Sequence, residues 1–356
     1  MILYLLVAVV PLVVGAFYTE KRAITPADEK YNKRRRFRWL LMASMPMFLL
    51  IALRHGAVGP DTGVYQVYFR EAIDKSWSEM FELTRMEYGF IIFTKLMTFV
   101  TKDVLLFQVI CTIIYWLAIS DFINQLEKGH FFCLYLFATI GLYIFMFTGL
   151  RQCLAMCLCL FSFRFIKKRK IVPFAIIMFI AFYFHKSSIL FVLAYILYGV
   201  NFNIITIFAY LVGTAVAFFN IDGIQNWLNE QLDYEYELEY TGNGYISLII
   251  IACVTLFSLF LLLNKKSSTK YAFSLFNISV VTMVCWILRL ATRVAERPSY
   301  YFMFFSIAVL AHAIQQLGNT KERTIIKGAI VGAFFLFYFY KISHTATMVP
   351  YQFFWN

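Results

Sequence analysis

The sequence predicts an all-α polytopic membrane protein of about twelve transmembrane helices. Composition carries the first half of that statement. Of 356 residues, 61% are hydrophobic and 15% charged, and the mean hydropathy is +0.71. A soluble domain averages ~45–50% apolar and ~25% charged residues, so the excess must face lipid. The apolar runs are continuous rather than alternating, which selects helices over a β-barrel. The formal charge of +12 lies mostly in short clusters between those runs, the distribution of cytoplasmic loops; no nucleic-acid partner is expected.

A helix needs ~20 apolar residues, or ~17 at the short end, to cross the hydrocarbon. That ruler marks 1–18, 39–54, 103–125, 131–149, 151–166, 171–186, 188–201, 203–220, 246–263, 271–290, 300–317 and 325–342. Met1 to Tyr18 lacks a basic leading region and is expected to be a retained first span. Residues 87–100 are apolar but interrupted by Lys95, so an interfacial or re-entrant helix is expected there. The chain reads as one multi-pass domain over 1–356. Its cytoplasmic basic loop is 19–38, and its extracytoplasmic loops are 55–102 and 221–245. Placing 19–38 inside, with Lys33, Arg34, Arg35, Arg36 and Arg38, collects 20 of the 32 Lys and Arg on that side. Both termini are then extracytoplasmic. The seven cysteines all fall inside apolar segments, where disulfides or zinc are not expected.

Most of the basic residues left on the outer side sit at membrane depth or within a turn of it, where a charge costs ~2.5–3.5 kcal/mol on insertion scales. Arg54 and His55 close the second segment, Arg151 and Gln152 open the fifth, His185 and Lys186 close the sixth, and Arg289 and Arg293 close the tenth. Arg289, Arg293 and Arg297 are spaced i, i+4, i+8, so a continuous helix would stack three guanidinium groups on one stripe. Pro298 would stop that helix soon afterwards. A multiply charged anion explains such a stripe, because arginine forks suit phosphate oxygens; the alternative is snorkelling to lipid headgroups.

Three residues qualify as acid–base groups. Asp61 is the one carboxylate of the loop Arg54–Tyr65, which holds three glycines and a proline; it is a turn residue, a cap or a general base. Glu87 is a second carboxylate, or a first-turn charge on the helix that follows. His185 is an interfacial histidine or a proton shuttle. The stretch Asp233–Tyr240 alternates acidic with aromatic or apolar residues; a solvated loop is favoured there over a divalent-cation site. There is no P-loop, dinucleotide fingerprint, HExxH or CxxC motif, and no cofactor or metal is expected.

Taken in order, Arg54…Gly59-x-Asp61-Thr62…Tyr65, Glu87-x-Gly89-Phe90, Leu150-Arg151-Gln152-x-x-Ala155, Phe184-His185-x-Ser187 and Arg293…Tyr301-Phe302 resemble the EpsG family, which contains Wzy-like polymerases of bacterial exopolysaccharide and capsule. The resemblance implies a multi-pass glycosyltransferase of the bacterial cytoplasmic membrane, of the glycosyltransferase-C (GT-C) type, with its active site in an extracytoplasmic, outer-face cavity. Its partners would be an undecaprenyl-diphosphate-linked oligosaccharide, membrane lipids and other polysaccharide-assembly proteins. Arg151, Arg289 and Arg293 would grip the diphosphate, helped by Arg54, Arg297 and Gln152. Asp61 is the first choice for the base that deprotonates the acceptor hydroxyl, His185 the second and Glu87 the third. The competing classes are a transporter or flippase of a lipid-linked anion, an O-antigen-ligase-like transferase, and a membrane O-acyltransferase.

Overall fold

The computed structural model describes residues 2–20, 22, 24–82, 86–232, 244–264, 269–317, 321–345 and 347–355. Among them the regular elements are helices, and one isolated antiparallel bridge joins Arg54 to Phe353. The first are α1 (Ile2–Phe17), α2 (Pro26–Ala52), α3 (Thr62–Asp74), α4 (Trp77–Glu82), α5 (Tyr88–Val100) and α6 (Val104–Asn124). Next come α7 (His130–Thr139), α8 (Leu142–Phe145), α9 (Leu150–Lys167), α10 (Ile171–Phe184) and α11 (Val192–Leu197). Then follow α12 (Ile204–Phe219), α13 (Ile221–Leu232), α14 (Tyr245–Leu263), α15 (Lys270–Leu288), α16 (Glu296–Gln315) and α17 (Lys321–Ser343). By length and composition α6, α14, α15 and α17 are able to cross a membrane; α1, α5, α7, α10 and α12 are shorter apolar helices. The fold is that of an all-α membrane protein.

The spine is α16. Every residue from Tyr301 to Ile314 is buried, so this helix is apolar all round and belongs in the interior. It packs chiefly on α15, while α2 packs on α6 and α9 on α10. Between helices in lipid, such contacts act through close van der Waals fit rather than through exclusion of water.

Several expected boundaries move, each for a local reason. The basic segment 19–38 is only partly a loop, because α2 begins at Pro26. Thr25 and Asp28 form a reciprocal capping box and Pro26 takes the first helical position, so the helix starts well before the apolar run. The Asp28 carboxyl is lowered there by hydrogen bonds from Thr25 and the Ile24 amide. The expected span 131–149 breaks after Thr139, where Gly141 adopts φ +115° and α8 is a single turn. The expected span 188–201 is a 3-10 turn, Lys186–Phe191, followed by α11. The segment 55–102, expected to be an outer loop, carries α3, α4 and α5, and 221–245, expected likewise, carries α13. Lys95 does not interrupt α5: its ammonium donates to the carbonyls of Ala72 (2.8 Å) and Lys75, closing the C-terminus of α3 where a cation complements the helix dipole.

The two ends of the helices differ in chemistry. At one end Arg36 pairs with Glu20 (2.6 Å) and bonds Asn124, and Arg164 pairs with Asp121. At the other, the C-terminal segment straps over the end of α2. The His55 amide bonds Gln352 O, the Phe354 amide bonds Leu53 O, and the Tyr4 hydroxyl bonds Met348 O.

Replacing Lys95 by Met should lower the midpoint of thermal unfolding in detergent, equivalent to about 1–3 kcal/mol, because two carbonyls at the end of α3, one of them buried, lose a charged donor. Lys75→Met, which removes an exposed i,i+4 pair with Glu71, should change it by less than about 0.5 kcal/mol. Equal shifts would refute this account of α5.

Candidate active-site cavity

At the strapped end the helices enclose a cavity of about 1210 Å³. Its wall takes Asp61 and Tyr65 from α3, Arg151 and Gln152 from α9, and His185 from the end of α10. Arg293, Glu296, Arg297 and Tyr300 come from the α15–α16 connection and α16, and Lys341 from α17. Segments far apart in sequence thus deliver four cations, an imidazole and two carboxylates to one space.

Asp61 occupies the N-cap position of α3 without capping it. Its Oδ2 instead accepts the Gly149 amide at 2.9 Å, tying the 55–61 loop to the turn from which α9 begins. Arg151 lies two residues on. Its Nη1 pairs with the Glu87 carboxylate, and its Nε donates to the Tyr65 hydroxyl at 3.5 Å.

Glu87 does not line the cavity. It sits behind the wall, with a side chain 4% exposed, and bridges two residues that do line it. One oxygen meets Arg151, and the other lies 2.9 Å from His185 Nδ1. Burial pushes the Glu87 carboxyl up, but the His185 hydrogen bond and the Arg151 charge outweigh it and hold the group at about 2. An ionised carboxylate accepts, so Nδ1 carries the proton. The motif Glu87-x-Gly89 has a steric reason. A Cβ on Gly89 would lie 2.6 Å from the Tyr183 carbonyl oxygen, so only glycine lets the start of α5 press against the last turn of α10 and bring Glu87 to His185. Glu87 is the N-cap residue of α5 and makes no side-chain cap bond, its carboxylate meeting Arg151 and His185 instead.

The arginine stripe is not continuous. α15 ends at Leu288, a 3-10 turn spans Arg293–Ala295, and α16 starts at Glu296. Pro298 falls in the first turn of α16, where its missing amide is harmless, so it opens a helix rather than stopping one. Arg293 and Arg297 consequently reach the cavity, whereas Arg289 is 6% exposed and pairs through Nε with Glu296 at 3.0 Å. Glu296 also accepts the Tyr300 hydroxyl at 2.7 Å. Gln152 Nε2 donates to the Arg297 carbonyl at 2.7 Å, pinning the start of α9 to the start of α16.

Arg54 is likewise away from the cavity. Its Nε donates to Thr62 Oγ1 (2.9 Å), its Nη1 to Ile51 O (2.6 Å), and its guanidinium lies 5.3 Å from the Phe147 ring centroid. This knits α2 to α3, which explains the pairing of Arg54 with Thr62 in the motif.

Of the nine expected residues, Asp61, His185, Arg151, Gln152, Arg293 and Arg297 line one cavity, and Glu87, Arg289 and Arg54 support it from outside. Lys341 escaped sequence reasoning, although a lone lysine at the end of the last apolar run carries the same signal as Arg151. The stacked pair Phe145–Tyr300, with centroids 3.9 Å apart, had no local signal. The acidic stretch 233–240 lies outside the described residues.

These features define a helical membrane protein with a cation-rich cavity that also holds groups able to move protons. Comparison with known sequences assigns it further. The EpsG family model matches residues 37–353, and the chain belongs to that family. No curated protein and no solved structure matches the chain.

Glu87→Ala leaves Arg151 and His185 facing a void and should destabilise the protein by about 3 kcal/mol. The folded carboxyl is depressed from 4.5 to about 2, so its contribution is present above about pH 4.5 and is lost as the pH falls toward 2. The gap in thermal midpoint between wild type and Glu87→Ala should therefore narrow on acidification; a pH-independent gap would contradict the clamp.

Proposed function

We propose that the protein is a membrane glycosyltransferase that polymerises undecaprenyl-diphosphate-linked glycan repeat units at the outer face of the bacterial cytoplasmic membrane, for exopolysaccharide or capsule. Membership of the EpsG family, bacterial membrane proteins associated with exopolysaccharide, supports the substrate class. One observation carries the chemistry: Arg151, Arg293, Arg297 and Lys341 surround the same space as Asp61 and His185.

In this reading the acceptor sugar hydroxyl attacks the anomeric carbon of the lipid-linked donor. The bond from that carbon to the diphosphate oxygen breaks, and undecaprenyl diphosphate leaves with the electron pair. Arg293, Arg297 and Lys341 stabilise the charge that develops on the leaving group, and a donor of this kind contributes about 3–4 kcal/mol to such a transition state. Arg151, partly neutralised by Glu87, orients more than it attracts. Asp61 takes the hydroxyl proton; its Oδ2 is tied to Gly149, which fixes the direction of the other oxygen. His185, oriented through Nδ1 by Glu87, assists by proton transfer. Glu87 acts through these neighbours and is a positioning residue. The aromatic pair Phe145–Tyr300 offers a flat apolar surface to a sugar face.

Arg293→Ala and Asp61→Asn should each reduce polymer by about 100-fold or more, with the protein still inserted and lipid-linked single repeat units gathering at the outer leaflet. Polymer of normal length would overturn the diphosphate assignment, and accumulation at the cytoplasmic leaflet would identify a flippase instead. The same orientation predicts that a cysteine at Ser78 is labelled by an impermeant reagent in intact cells and one at Glu322 is not.

A further inference from the structure

The basic end of the helices holds a second cavity, about 430 Å³, where α1 meets the turn between α6 and α7. Part of its lining is apolar, from Pro11, Leu12 and Ala16 on α1 and Phe131 and Phe132 on α7. Its mouth is polar, formed by Tyr18, Glu127, Lys128 and Lys327. The walls are held in place by close contacts. A Cβ on Gly15 would lie 2.6 Å from Phe131 Cβ, so α1 and α7 touch at that level. His130 is buried and its Nε2 bonds the Leu126 carbonyl at 2.9 Å, closing the turn that presents Glu127 and Lys128.

The polar mouth is unsatisfied by the protein itself. Glu20, also on the wall, is already paired with Arg36. Glu127, Lys128 and Lys327 enter no ion pair among the described residues. Lys327 has only the Phe132 ring, 5.4 Å away, as a weak counterpart. Among the described residues the Tyr18 hydroxyl, shut off from water, finds no hydrogen-bond partner, a state that buried polar groups rarely keep. Two ammonium groups and a carboxylate therefore share one cavity with apolar side chains and a buried hydroxyl donor.

We infer that this cavity binds a phospholipid with an ammonium–phosphate headgroup, the phosphate between Lys128 and Lys327, the ammonium at Glu127 and one acyl chain along the wall from Pro11 to Ala16. The headgroup complements the mouth charge for charge, and the chain matches the apolar wall. Tyr18 donates to a phosphate or ester oxygen. A headgroup bearing only negative charge would leave Glu127 facing a like charge, which selects the zwitterionic lipid. The site is independent of the catalytic reading, and either can fail alone.

The full-length protein, purified in detergent and stripped of lipid, is titrated with phosphatidylethanolamine, phosphatidylglycerol and inorganic phosphate, and binding is read by native mass spectrometry. One phosphatidylethanolamine should be retained in preference to phosphatidylglycerol, and Lys128→Ala with Lys327→Ala should weaken it at least about tenfold. Glu127→Gln should shift the preference toward phosphatidylglycerol, a change of sign that misfolding does not produce. Undiminished binding by the double lysine variant, tighter binding of phosphatidylglycerol by the wild type, or displacement of the lipid by inorganic phosphate would each overturn the inference.

Discussion

The cavity end of this protein depends on one buried carboxylate. Glu87 touches Arg151 at the start of α9 and His185 at the end of α10, while its own helix is pressed onto α10 at Gly89. An ionised carboxylate in such surroundings is tolerable only when paired and hydrogen-bonded, and here both of its oxygens are engaged. That requirement works in both directions. The partners keep Glu87 charged, and Glu87 sets the direction of a guanidinium and an imidazole that line the cavity. Three segments meeting through one charged group gain a fixed mutual geometry that apolar packing alone specifies less sharply.

Cations placed close together repel, and the fold limits that repulsion by separating roles. Arg289 faces Glu296 and Arg54 faces hydroxyl and carbonyl oxygens, so neither adds its charge to the cavity wall. Arg151 is balanced by Glu87. Arg293, Arg297 and Lys341 line the side of the cavity formed by α16 and α17. The proposed transfer uses this asymmetry: the leaving diphosphate belongs with the α16–α17 cations, and the acceptor with Asp61 and His185. Because α16 is the buried spine, the arginine at its first turn is carried by the least deformable element of the fold.

The opposite ends of the same helices solve a different problem. There the charged residues tie helix to helix, as Arg36 does with Glu20 and Asn124 and Arg164 with Asp121, and what they leave unpaired borders a narrow amphipathic slot. A wide cation-lined cavity at one end and a small mixed-charge pocket at the other follow from how the apolar helices are terminated, since their middles are chemically alike.

Hydropathy alone determined the all-helical membrane class and most helix positions, because continuous apolar runs have few other ways to satisfy their backbone. Arginine and histidine embedded in those runs also pointed to Arg151, His185, Arg293 and Arg297, since such a group at that depth needs a reason, and Asp61 stood out in its glycine-rich loop. Composition is blind to local capping, so the start of α2 at Thr25–Pro26 and the break at Gly141 were set by hydrogen bonds and backbone conformation instead. Only the tertiary structure decided which arginines share a space. Spacing at i, i+4, i+8 describes a stripe if the helix continues, and the chain turns between Leu288 and Glu296, sending Arg293 and Arg297 inward and Arg289 to its carboxylate. The role of Glu87 was hidden for the same reason: its partners lie 64 and 98 residues away, and a pairing over that distance exists only once the helices have packed.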